Sequence, residues 1–270
     1  MVSFLKMHGL GNDFAVFDAR NQPLVLDAGR ARAIADRRRG IGCDQIIVIE
    51  NSPHADAFMR IFNADGSEVE NCGNAARCVA RVLMSESGHS SVRINTKAGP
   101  LACSDADNGF VSVDMGPPEL HWDRIPLARA VDTNRFVLAV DGENYDCAAV
   151  SIGNPHCVLF VDDADRAPVA TLGPRIETHP MFPNRTNVEF VTVRDRSHLR
   201  MRVWERGAGI TQACGSGTCA VAVAAHRRGL TGKTVDVELD GGVLAIELKD
   251  GRVLMTGPSA LSYRGEIELL

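Results

Sequence analysis

The stretch Met59–Asn74, MRIFNADGSEVENCGN, returns at Met201–Ser216 as MRVWERGAGITQACGS, and this recurrence decides the fold. The two segments align without a gap at a shift of 142 residues, which sets Cys72 on Cys214 and Gly73 on Gly215. The same shift carries Gly11-Asn12 onto Gly153-Asn154 and Gln45 onto Asn187. Separate landmarks with one offset imply two structural copies, the second beginning near Glu143. A chain of 270 residues has room for one large domain or two of about 135 residues each. The repeat selects two.

Short runs rich in β-branched and aromatic residues recur in both halves. FAVFDAR, QIIVIE, FMRIFN, SVRIN and FVSVDM fall in the first, and FVLAV, CVLFV, VEFVTV, LRMRVWE, VDVEL, VLAIEL and RVLMT in the second. Gly, Asn and Asp turns separate them, as strands require. Ala28–Arg39 reads as a helix closed by Gly40, with Arg37-Arg38-Arg39 as its solvated end. A helix-like segment follows each repeated cysteine, NAARCVARVLMSES after Gly73 and SGTCAVAVAAHRR after Gly215. The second is apolar nearly all round from Cys219 to Ala225, so strands must wrap it. The expected fold is therefore α+β: two pseudo-symmetric domains, each a curved sheet or partial barrel around a central helix, with the active site in the cleft between them. Gly116-Pro117-Pro118 and Gly257-Pro258 are the expected crossings between halves, since proline is disfavoured in central strands.

Composition removes several function classes. The net charge of -5 argues against an electrostatic nucleic-acid or anionic-membrane binder. No stretch approaches the roughly 20 apolar residues of a membrane span. The opening MVSFLKMHGLGNDF lacks a secretory h-region, so the reading is cytoplasmic, where thiols stay reduced. The eight cysteines (Cys43, Cys72, Cys78, Cys103, Cys147, Cys157, Cys214, Cys219) form no Cys-x-x-Cys pair and no zinc-like spacing. No metal site is expected, and most of these thiols read as small buried hydrophobes.

Cys72 and Cys214 read differently, because each stands at the mouth of a helix and is followed by Gly and then Asn or Ser. A helix N-terminus offers unpaired amides and a positive field that binds a carboxylate, and the same field favours thiolate over thiol. With the halves facing one another, one sulfur lies on each side of the carbon next to that carboxylate. One thiolate then removes the α-proton while the opposite thiol delivers another, inverting the centre. Asn12, Gln45, Asn154 and Asn187 add uncharged hydrogen-bonding groups. Asn63-Ala64 of the first half is matched by Glu205-Arg206 in the second, a charged pair suited to a distal amino-acid group: Arg206 for the carboxylate, Glu205 for the ammonium. His156, after Asn154-Pro155, is placed to tune a thiol.

GNDF at Gly11–Phe14, RGIGCDQ at Arg39–Gln45, FNADGSEVENCGN at Phe62–Asn74, GNPHCV at Gly153–Val158, NRTNVEFV at Asn184–Val191 and ERGAGITQACGSGTCA at Glu205–Ala220 resemble the diaminopimelate epimerase family. The match runs in order from Lys6 to about His226. The resemblance implies a cofactor-independent isomerase that converts LL-2,6-diaminopimelate to the meso form in lysine biosynthesis. It implies Cys72 and Cys214 as the catalytic pair, backbone amides of Gly73, Asn74, Gly215 and Ser216 holding the reacting carboxylate, and substrate contacts from Asn12, Gln45, Asn63, Asn154, Asn187, Glu205 and Arg206. It implies that His156 and Glu205 adjust the thiols, and that the tail returns to the first domain, giving domains 1–117 with 259–270 and 118–258. A homodimer is implied too, with Tyr263 at its contact. Two positions depart from the family pattern. Ala75 stands where Gly is frequent, and Ile210 where Glu is common.

Other readings are weaker. A proline or hydroxyproline racemase shares the fold and a two-base mechanism, but a cyclic imino acid offers nothing to the Glu205-Arg206 pair. A pyridoxal-dependent racemase needs a Schiff-base lysine, and Lys6, Lys97, Lys233 and Lys249 all lie outside the repeated motifs. A thiol redox sensor or zinc module lacks the ligand spacing.

Overall fold

In the strand Gln45–Glu50 every interior side chain is apolar and buried, so the sheet is covered on both faces. The computed structural model describes residues 1–268 and divides into two units, Met1–Asp114 with the segment from Thr256 onward, and Met115–Met255. The last two residues of the expected 259–270 segment lie outside the described residues. Met115, just before Gly116-Pro117, belongs to the second unit, where it donates to the Val253 carbonyl and Val253 donates to that of Gly116.

In the first unit the strands pair in the order Ala260–Ile267, Val2–Gly9, Asn12–Asp18, Gln45–Glu50, Ala57–Asn63, Ser91–Thr96, Gly99–Ala106, Phe110–Asp114. This curved, mixed sheet wraps α2 (Gly73–Ser87), which packs against strands from both ends of that order. The opposite face, with Ala15, Phe17, Ile46 and Val48, is closed by Ala31, Ile34 and Ala35 of α1 (Ala28–Ala35). The second unit repeats the plan. Phe136–Val140, Glu143–Ser151, Pro155–Phe160, Asn187–Val193, His198–Glu205, Thr234–Leu239 and Gly242–Lys249 follow one another. They enclose α4 (Gly215–Arg227), in which Cys219–Ala225 are all buried. The outer face packs on α3 (Val169–Glu177) through Val169, Leu172 and Ile176.

The repeat holds down to register. Phe14 pairs with Gln45 in the first unit and His156 with Asn187 in the second, both across parallel strands and both displaced by the sequence shift. The turns before them agree as well, Gly11 at φ 85° and Gly153 at φ 86°, a left-handed conformation that glycine adopts without strain.

Two local features differ from the sequence reading. α1 stops at Ala35 rather than Arg39, because Asp36 leaves helical geometry at ψ 119° and its carboxylate accepts from the backbone N–H of Arg38 and Arg39. Arg37 is not a merely solvated helix end: it bridges Asp13 and Asp44. α3 was not anticipated, since Gly173-Pro174 reads as a breaker. Gly173 is needed because a Cβ there would stand 2.6 Å from the Trp204 side chain.

The enclosure of α4 leaves no slack. Replacing Ala220 by Leu is expected to lower stability by about 1–3 kcal/mol through overpacking, read as a reduced urea midpoint; an unchanged midpoint would show the helix to be loosely held.

Candidate active site

Cys72 and Cys214 are the N-cap residues of α2 and α4, both in extended conformation. Each helix is fixed along its length by the strands around it, so each cysteine stands where the first-turn amides end. Ala76 donates to the Cys72 carbonyl at 2.9 Å and Thr218 to that of Cys214 at 3.0 Å. The sulfurs are treated differently. Cys72 is half-buried, with its Sγ 3.9 Å from Asn12 Oδ1. Cys214 is buried and its Sγ accepts from Gly217 N–H at 3.4 Å, with Ser216 Oγ at 3.7 Å.

Around Cys72 the uncharged groups are tied together. Asn12 donates to Asp44 at 3.0 Å and accepts from the Asn74 side chain at 3.2 Å. Gln45 donates to Asn63 across the strands at 3.0 Å, and Asn63 donates to Ser67 at 3.1 Å. Asp13 anchors the turn: burial acts to raise its pKa, but hydrogen bonds from Arg37 and Lys6 outweigh that and bring it down to about 2. Lys6 also donates to the Gly42 carbonyl.

Around Cys214 the groups are titratable. Glu205 accepts from Thr211 Oγ1 and lies within reach of the thiol. Burial, the larger effect, and the neighbouring Glu189 push the Glu205 carboxyl up to about 7. His156 and Glu189 have no exposed area; Nδ1 of His156 lies 2.6 Å from Glu189 Oε1 and Nε2 lies 2.9 Å from Asn154 Oδ1. At Cys214 other effects oppose the helix field that the sequence reading invokes. Burial first, then the Glu205 and Glu189 carboxylates, push this thiol well above its ordinary value despite the Gly217 N–H.

Arg206 is exposed at the end of the strand His198–Glu205, with Nη1 3.2 Å from the Asn184 carbonyl. Asn187 is buried and used internally, donating to the Pro155 carbonyl and accepting from Arg206 N–H, each at 2.9 Å. Tyr263 is about half exposed and meets Phe4 edge-on at 6.0 Å. Of the departures, Ala75 is buried in the first turn of α2, where its backbone N–H is retained, and Ile210 is exposed beside Trp204. Glu189 and Glu177 escaped the sequence reading. Glu177, on α3, orders the turn before Cys214 by accepting from Trp204 Nε1 at 2.7 Å and Gly207 N–H at 3.0 Å. Among the described residues no group of three or more His, Cys, Asp or Glu side chains is placed to share a metal ion. No helix among them is long and apolar enough to cross a membrane.

The family model described as diaminopimelate epimerase matches residues 4–121 and 148–262. The chain belongs to the diaminopimelate epimerase family. A diaminopimelate epimerase of Rhodospirillum centenum is 57% identical over 98% of this chain and 91% of its own length. One from Pseudomonas savastanoi pv. phaseolicola is 47% identical over the whole of both. Among solved structures, a probable proline racemase from Agrobacterium radiobacter superposes with a TM-score of 0.73 at 15% identity, covering 100% of this chain and 93% of the other. A hydroxyproline epimerase from Agrobacterium vitis gives 0.70 at 13%, covering 98% and 91%. These likenesses show a shared fold. Diaminopimelate epimerases interconvert the LL and meso isomers in lysine biosynthesis, so the chain is an isomerase of the epimerase type.

Glu205 makes the site pH-sensitive. With a carboxyl raised from 4.5 to about 7, the folded state holds the proton more tightly than the unfolded chain does. The resulting stability is complete below the lower value and is lost as pH rises through the upper one. Glu205→Gln, neutral throughout, should match the wild type in Tm near about pH 5 and exceed it by several degrees near about pH 8. A difference independent of pH would contradict the assignment.

Proposed function

We propose that the chain carries out its family's reaction, the interconversion of LL- and meso-2,6-diaminopimelate, with Cys72 and Cys214 as the acid–base pair and no cofactor. The observation that supports this reading is the placement of both thiols as N-caps of buried central helices, at equivalent positions of a duplicated fold. The first-turn amides of Gly73 and Asn74 and of Gly215 and Ser216 receive the reacting carboxylate. Electrostatic stabilisation by such fixed donors favours the charge that builds up when the α-proton leaves. Glu205 and Arg206 receive the ammonium and carboxylate of the distal end, and Asn12, Gln45, Asn63, Asn154 and Asn187 complete and orient the lining.

In this scheme one cysteine takes the α-proton as thiolate and the other supplies a proton to the opposite face as thiol. Each cysteine serves as base in one direction and as acid in the other. Glu205, poised near neutrality beside Cys214, can take up and return that cysteine's proton when the direction reverses. The scheme requires both sulfurs to reach opposite sides of one α-carbon. The same reading makes the enzyme a cytoplasmic homodimer with Tyr263 at the dimer contact.

The proposal is tested by chiral separation of the isomers formed from LL-diaminopimelate by purified, reduced protein. The meso isomer should appear, and L-proline under the same conditions should not racemise. Cys72→Ala and Cys214→Ala should each lose at least about a thousandfold in kcat/KM, since neither base has a substitute, while Tm stays within a few degrees. Near-normal turnover in either variant would overturn the two-thiol scheme; proline racemisation without meso formation would overturn the substrate.

A further inference from the structure

The duplication supplies an internal comparison for every buried residue. On the face of the sheet that meets the central helix, the first unit places Phe14 and Ile47, both with no exposed area. At the shift of the repeat, the second unit places His156 and Glu189 on equivalent strands in equivalent register. One unit thus fills with hydrocarbon what the other fills with an imidazole and a carboxylic group. Burying such a pair is costly, and an apolar pair of similar volume is commonly neutral or stabilising in its place. The fold does not ask for His156 and Glu189, and a functional reason is needed.

The hydrogen bonds supply one. A carboxamide oxygen only accepts, so the contact of His156 Nε2 with Asn154 Oδ1 requires the proton to be on Nε2. The short contact of Nδ1 with Glu189 Oε1 requires one proton more, shared between them. Glu189 thereby secures the proton on Nε2, whichever of Nδ1 and Oε1 holds the shared one. The other oxygen, Oε2, is buried with no hydrogen-bond partner among the described residues. Without that shared proton the ring would carry its single proton on either nitrogen, and Asn154 could turn its N–H2 inward to an unprotonated Nε2. Asn12, the counterpart of Asn154, has no such dependence, because Asp44 and Asn74 hold its two ends.

We propose that Glu189 is a positioning residue: through His156 it holds the Asn154 side chain with its oxygen inward, leaving the amide N–H2 to donate to an acceptor oxygen of the substrate. This rests on the reading of Asn154 as a substrate contact. Glu189 fixes a tautomer, the tautomer fixes an amide, and the amide binds.

Three variants and one spectroscopic measurement test it. Glu189→Gln can donate its own amide N–H to Nδ1, so its kcat/KM should stay within about threefold of the wild type. The double variant His156→Phe/Glu189→Ile installs the first unit's own pair. It should fold with a Tm no lower than the wild type yet lose at least about tenfold in kcat/KM, mainly through KM. Asn154→Asp keeps the inward oxygen and lacks the donor, so it should show the same KM defect, and this holds the test open if the double variant fails to fold. Full activity in the folded double variant or in Asn154→Asp, or a Glu189→Gln variant as impaired as the double variant, would overturn the proposal. Independently of turnover, 15N spectra of the His156 ring should show a protonated, slowly exchanging Nε2 in the wild type and in Glu189→Gln. An unprotonated Nε2 in the wild type would overturn the proposal even in an active enzyme. An inactive wild type with the protonated ring would count against the substrate reading alone.

Discussion

A helix that is apolar around its whole circumference can meet a ligand only at an end. That constraint, met in α4 by enclosing Cys219–Ala225 within a curved sheet, organises the rest of the molecule. Once strands surround the helix, its first turn becomes the one place where unpaired amides, a positive field and an N-cap side chain coincide. A cysteine at that cap is held by backbone geometry. The outer helices α1 and α3 follow from the same arrangement, because a sheet buried on its inner face by a helix needs a second layer outside.

Duplication placed two such caps in one chain, and divergence then made them unequal. Cys72 sits among carboxamides, with Asn12 and Asn74 bound to each other. Cys214 sits among carboxyl groups, with Glu205 and Glu189 near its sulfur. The electrostatic consequence is that burial and these carboxyl groups push the thiol upward on the second side. Gly217 shows the steric side of the same divergence: a Cβ there would stand 2.8 Å from Glu189 Oε1 and 3.2 Å from the Cys214 sulfur. At the equivalent position the first unit carries Ala75 and, in place of Glu189, Ile47.

Much of this was legible in the sequence because the repeat is preserved where conformation is demanding: the Gly11 and Gly153 turns, the Cys-Gly helix mouths and the apolar circumference of α4. What escaped did so for identifiable reasons. α3 carries Gly173-Pro174, and only the close approach of Trp204 explains why a helix passes through it. The early end of α1 depends on the Asp36 carboxylate binding backbone amides, a choice that periodicity does not encode. Glu189 lies in VEFVTV, where an isolated Glu reads as the solvent side of a strand. Its alignment with Ile47 was the available signal that it points inward. Glu177 acts on a turn nearly thirty residues away and leaves no local trace.

The isotopic fate of the α-hydrogen tests the two-thiol account most directly. LL-diaminopimelate is converted in heavy water and stopped early, and the substrate and product pools are separated before mass analysis. Two thiols on opposite faces predict meso product that carries solvent deuterium from the first turnovers, while unconverted substrate keeps its hydrogen. A product that retains the original hydrogen would mean that one group removes and returns the same proton, and would contradict the pairing of Cys72 with Cys214.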